Sequence, residues 1–155
     1  MSLLIALALA IAPRTDAPKS KRVFTVNDAL VMITLAQASR AISARDPELL
    51  RPLLRPYGTF TVVEEKPNGT RSLTSGAWDA YLQAMQPGPE KYEERMYNVE
   101  IRIDGIVADV WAPYNFFLDG KLWYCGINHF QLVSEGGWKI QNVTWTQRTS
   151  GCSTK

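Results

Sequence analysis

Histidine and cysteine are almost missing from this 155-residue chain, which carries one of the first and two of the second. One imidazole leaves too few ligands for a zinc site of the usual kind, and two thiols cannot staple a disulfide scaffold. An excess of charge of either sign is lacking too. Seventeen Lys and Arg face fifteen Asp and Glu, a formal net charge of +2, whereas a nucleic-acid binder concentrates basic residues on one face. No phosphate-cradling glycine loop and no nucleophile elbow occurs, so no metal and no cofactor is expected. What the chain does have is a globular balance, 46% hydrophobic and 21% charged, with five Trp, six Tyr and five Phe. Rings in that number need a core or a cavity to occupy.

The unbroken apolar run Ser2–Ala12 is too short to span a bilayer and fits the apolar core of a signal peptide, with Ala10-Ile11-Ala12 as its small-residue cleavage site. The expected organisation is a signal peptide at 1–12, a polar linker at 13–25, one domain at 26–148 and a tail at 149–155. Secretion or delivery to a periplasm follows as the expected location, without a stable membrane anchor. In such an oxidising compartment Cys125 and Cys152 could pair.

From Val26 the apolar spacing turns helical: Asn27 can cap, and Ala29, Leu30, Ile33, Ala36, Gln37 and Ala41 follow to about Ala44. Asp46-Pro47-Glu48 starts a short second helix. Thr59–Glu64 reads as a strand, Pro67–Thr70 as a hairpin turn and Ser75–Met85 as a third helix, stopped by Pro87-Gly88-Pro89. Strands are expected at 92–103, 106–118, 121–133 and 138–148, with two-residue turns at Asp104-Gly105 and Asp119-Gly120. The class is α+β, a curved antiparallel sheet wrapped over three helices.

Two-residue turns fix register, which gathers Tyr97, Val99, Ile101, Ile103, Val110, Ala112, Tyr114, Phe116, Trp123, Cys125, Ile127 and His129 on the helix-covered face. Trp111, Phe117 and Tyr124 fall on the outer face, where an apolar patch would favour a homodimer. The parity of apolar residues then flips at Asn128-His129 and again at Gln141-Asn142. Either a β-bulge re-aims the side chains at each place, or both faces are buried.

Val110–Lys121, Cys125-Gly126, Phe130-Gln131-Leu132 and Gly137–Ile140, in that order, resemble the nuclear-transport-factor-2-like (NTF2-like) superfamily, and most closely its bacterial branch labelled lumazine-binding. The resemblance covers about Asn27 to Arg148. It implies a cone-shaped fold shared with scytalone dehydratase, ketosteroid isomerase and the SnoaL-like polyketide cyclases, a fold that hosts enzymes, carriers and assembly domains. Members of the branch often carry His before the Cys-Gly and Asp two residues after that Gly; here those positions hold Tyr124 and Asn128.

The candidate residues follow from the expected inner face. His129 titrates near neutrality and would be the natural acid or base, or else a satisfied core residue. Tyr97, Tyr114, Phe116, Trp123, Cys125 and, on the last strand, Trp145 could line a pocket, or simply pack; Cys125 could equally be an inert thiol. Glu64 is the nearest candidate for a carboxylate base, and Arg95 could meet an anionic ligand or lie at the rim. With no Asp or Glu on the inner face as paired, the expected function is binding of a small apolar or aromatic ligand, or service as a dimeric assembly module. The alternative is an isomerase, dehydratase or cyclase in which His129 or Glu64 acts as base and Tyr114 as hydrogen-bond donor.

Overall fold

The structure is a computed structural model that describes residues 23–153; the expected signal peptide, most of the linker and the last two residues of the tail lie outside it. Helix α1 runs Val26–Ala44. Its cap is Thr25 rather than Asn27: the Thr25 hydroxyl accepts from the Asp28 N–H, and the Asp28 carboxylate accepts from the Thr25 N–H at 2.7 Å, a reciprocal capping box. The buried stripe is Val31, Thr34, Leu35, Ala38 and Ala41. It is rotated from the expected one, which leaves Leu30 and Ile33 exposed. Helix α2, Pro47–Leu50, is capped by Asp46 and passes through a 3₁₀ turn into strand β1, Leu54–Glu65.

The segment read as a third helix divides in two. Arg71–Ala77 forms strand β2, hairpinned to β1 around Gly69, and only Trp78–Ala84 is helical, as α3. Seven apolar or aromatic residues at 77–85 mask the change of period, since a strand edge and a helix start share them. The remaining strands are β3 Tyr92–Met96, β4 Glu100–Asp104, β5 Val107–Leu118, β6 Lys121–Ser134 and β7 Trp138–Arg148. They form one sheet in the order β2-β1-β7-β6-β5-β3, with β4 also on β5. All pairings are antiparallel except β1 on β7, which is parallel. The concave face packs on α1 and α3 through Val31, Leu35, Trp78, Leu82, Val110, Leu132 and Ile140.

Three one-residue irregularities decide which side chains reach that face. Between β3 and β4 the chain leaves the ladder at Tyr97–Val99, with Asn98 at φ 47°, and these three residues oppose two on β5, Ala112 and Pro113. Between Phe117/Leu122 and Phe116/Tyr124, Trp123 is the extra residue on β6. Between Gln131/Asn142 and Leu132/Ile140, Gln141 is the extra residue on β7. Because side chains alternate with period two, each inserted residue exchanges the faces beyond it. The parity flip in β7 falls where the sequence places it. The one in β6 lies at Trp123, five residues before Asn128, so Tyr124, Asn128, Phe130 and Leu132 form one continuous inward set. The β4–β5 turn is Gly105-Ile106, which slides the expected register by two and therefore keeps its faces.

Candidate functional site

The concave face is not filled. A cavity of about 430 Å³ lies between α1, α3, the following segment to Pro87, and the sheet. Its walls are aromatic. Phe116 and Tyr124 stack with ring centres 4.8 Å apart, Tyr81 meets Trp145 edge-on at 6.1 Å, and Tyr92 meets Phe116 edge-on at 5.3 Å. Val143, Ile42 and Met85 complete the apolar lining.

One carboxyl group enters this space. Glu94, on β3, lines the cavity and is half-buried. Asn128 Nδ2 donates to Glu94 Oε1 at 2.8 Å, and the Ser39 hydroxyl reaches the Glu94 backbone carbonyl at 3.5 Å. Burial pushes the Glu94 carboxyl above the ordinary glutamate range, and the Asn128 and Ser39 side chains offset this only in part. A carboxyl shifted in this direction keeps its proton to higher pH, and while it does so it can donate a hydrogen bond as well as accept one.

Phenols surround it. Burial, with the Glu94 charge adding to it, drives the hydroxyl of Tyr81 well above the usual tyrosine value. Tyr114 and Tyr124 are raised by burial first and then by their neighbours. All three therefore remain protonated donors at neutral pH. Tyr114 spends its proton on the Thr146 carbonyl at 2.9 Å. Among the described residues, no acceptor meets the hydroxyls of Tyr81 and Tyr124, so both are available to a ligand. Gly126, beside Tyr114 on β6, makes that geometry possible: a Cβ there would sit 1.8 Å from the Thr146 oxygen.

Of the residues singled out in the sequence, Tyr114, Phe116 and Trp145 line the cavity. The others lie elsewhere, for reasons the bulges supply. His129 pairs with Trp111, not Val110, and faces outward, where Nε2 bonds the Asp109 carboxylate and the ring lies 5.8 Å from that of Trp111. Trp123, the extra residue, lies outside the cavity lining and is 46% exposed, with its ring against those of Tyr92, Phe116 and Tyr124. Tyr97 sits in the β3–β4 interruption, outside the cavity lining. Arg95 is on the outer side of β3, bonded to Glu93 at 2.6 Å and stacked over Phe117. Glu64 is exposed near the end of β1 and accepts from Ser72 at 3.2 Å. Cys125 is buried, but beneath the tail: it is disulfide-bonded to Cys152, and Asn115 beside it donates to the Ser153 carbonyl at 2.7 Å. Its sulfur is no nucleophile.

The residues missed were Glu94, Asn128, Tyr81, Tyr92 and Tyr124. Reading 92–103 as one uninterrupted strand put Glu94 on the outer face and emptied the inner one of carboxylates. The signal was present: Tyr92 and Met96 flank Glu94 at even positions, while charged Glu93 and Arg95 hold the odd ones. Tyr124 and Asn128, the two positions where the chain departs from the bacterial branch, both line the cavity.

No protein-family model and no curated protein matches the chain. Solved structures do. A candidate dehydratase of the NTF2-like family from Streptomyces avermitilis superposes with a TM-score of 0.60 at 18% identity, covering 76% of this chain and 93% of that one. An NTF2-like superfamily protein from Salmonella enterica gives 0.59 at 16%, covering 81% and 93%. The β subunit of a candidate aromatic-ring-hydroxylating dioxygenase from Novosphingobium aromaticivorans gives 0.64 at 14%, covering 81% and 92%. Together with the helix order and the curved sheet, these likenesses establish that the chain has the NTF2-like α+β fold.

Proposed function

We propose that this domain binds a small, largely aromatic or apolar molecule in the cavity, with Glu94 and Asn128 as its principal polar contacts. The observation that carries this is a single enclosed carboxyl, hydrogen-bonded by Asn128, in an otherwise aromatic space of about 430 Å³. Sites for small molecules have this character, apolar walls with a few converging polar groups. The test is a fragment screen read by the change in Trp145 emission and by calorimetry. Aromatic fragments should bind the native chain, and Ala84→Trp, which places an indole at the lining, should abolish binding. A failure of every aromatic fragment, or binding unaltered in that variant, would refute the proposal.

The enzymatic reading gains a residue it lacked. A carboxyl raised by burial, close to two unpaired phenols, is the equipment for moving a proton at a bound carbonyl compound. This reading rests on Glu94, with Tyr81 and Tyr124 as donors, and no longer on His129 or Glu64. Incubation of a bound ketone in D₂O should incorporate deuterium beside its carbonyl, and Glu94→Gln should stop it; equal incorporation by both proteins rules the reading out.

We further propose export and homodimerisation. The disulfide supports an oxidising location. Trp111, 48% exposed on the outer face beside His129, supports pairing of two copies there. Light scattering should give twice the chain mass, reduced to one by Trp111→Asp; a monomeric native chain contradicts the pairing.

A further inference from the structure

We infer that the cavity selects hydrophobic carboxylic acids, and that Arg45 is the residue that receives their carboxylate; the inference rests on the cavity being a ligand site. Among the described residues lining the cavity, Arg45 is the one cation and Glu94 the one carboxyl. The Arg45 side chain is nine-tenths buried, with 10% exposure. Its Nη2 donates to Glu90 at 2.8 Å and its guanidinium lies 3.7 Å above the centre of the Tyr92 ring. Its Nε is buried without an acceptor. A buried donor left unpaired calls for an explanation, and an absent ligand is one.

The fold gives Arg45 a place that folding alone would not choose. It ends α1 at φ 52°, in the left-handed region where helices usually take glycine. Opposite it, Gly88 leaves room for the guanidinium: a Cβ there would fall 1.8 Å from Nη1. Backbone and neighbours are thus arranged around this side chain. Glu90, 45% exposed, shares its carboxylate with solvent, takes Nη2 and leaves the buried Nε without an acceptor. A ligand carboxylate at this guanidinium accepts from Nε and competes with Glu90 for Nη2, the two parallel donors of one edge. The apolar body of the ligand then lies along Tyr81, Phe116, Tyr124 and Trp145. The Glu94 carboxyl, held by Asn128, serves a second polar group on the ligand.

Calorimetry with 2-naphthoate and 2-naphthamide tests this. The native chain should bind the acid at least tenfold more tightly than the amide. Arg45→Gln should erase that difference by weakening the acid alone. Arg45→Gly, which suits the left-handed backbone, should do the same while melting no lower than the glutamine variant. Glu90→Gln, which removes the competing carboxylate, should tighten the acid and leave the amide unchanged. Equal binding of acid and amide by the native chain, or equal weakening of both in Arg45→Gln, overturns the selection and leaves the cavity reading standing. Failure of both ligands to bind the native chain overturns the two together.

Discussion

Gly126→Ala is the substitution with the largest expected effect for the smallest chemical change. The added methyl carbon would lie 1.8 Å from the Thr146 carbonyl oxygen, 2.7 Å from its carbon and 2.9 Å from its Oγ1. Backbone, not a flexible tip, stands in the way, so β7 must retreat by more than an ångström. That retreat breaks the bond from the Tyr114 hydroxyl at 2.9 Å and the bond from the Ile127 N–H to Thr146 Oγ1 at 3.0 Å. Each such bond contributes about 1 kcal/mol net, and forcing a methyl into a packed site costs about 1–3 kcal/mol more. The expected loss is roughly 3–5 kcal/mol, a fall in Tm of roughly 10–20 °C for a domain of this size. Tyr114→Phe removes one of those bonds without crowding and should cost only about 1–2 kcal/mol. The double variant should cost less than the sum, because alanine has already broken the tyrosine's bond. Urea unfolding followed by tryptophan emission measures all three. A Gly126→Ala protein within about 0.5 kcal/mol of native, the scatter typical of neutral surface changes, would refute the close approach of β6 and β7 behind the cavity.

Three further outcomes follow from the same geometry. Cys152→Ser opens a loop of 27-residue separation, and chain entropy sets the expected loss at about 3.5 kcal/mol; a denaturation midpoint unchanged by the substitution or by dithiothreitol contradicts it. Glu94 is raised above the ordinary value of 4.5, so on raising the pH the unfolded chain releases this proton first and the folded chain holds it longer. This residue therefore lowers stability as pH climbs from about 4.5 through its folded value, and the advantage of Glu94→Gln over native should grow over that interval; an advantage that shrinks as the pH rises contradicts a buried carboxyl. Asn128→Ala removes the one side-chain donor to Glu94 Oε1 and should raise the Glu94 titration further, as followed by carboxyl NMR; an unchanged or lowered midpoint shows the pair is not formed.

The class of fold was legible because its evidence is redundant. Helix punctuation at Asp46-Pro47, hairpin signals at Pro67–Thr70 and Asp119-Gly120, and four long strands in succession all agree, and the β5–β6 turn has positive φ at both Asp119 and Gly120, as a tight hairpin requires. The site was harder to read because it depends on parity, and parity is lost with one inserted residue. Tyr97, Arg95 and Glu94 are adjacent in sequence, yet the interruption at Asn98 decides which of them faces the cavity. Trp123-Tyr124 is a related case, two aromatic neighbours at a bulge of which the second lines the cavity. In β7 the change from Trp138 and Ile140 to Val143 and Trp145 was visible, since large apolar residues stand on both sides of Gln141. Arg45 gave no sign at all: a lone arginine at a helix end is ordinary in sequence, and its enclosure by Tyr92, Glu90 and Gly88 is a product of tertiary packing.

Glu93 and Glu94 provide the most direct measurement, since strand alternation places these neighbours on opposite faces of the sheet and the interruption at Tyr97–Val99 makes Glu94 the inward one. Carbon-detected NMR of the side-chain carboxyls across an acid–base titration reads both in one sample. Glu93, beside the Arg95 guanidinium, should titrate below the ordinary glutamate range, and Glu94, enclosed in the cavity, above it. Titration of the two together, or of Glu94 below Glu93, would place Glu94 in solvent and leave the cavity without its polar end.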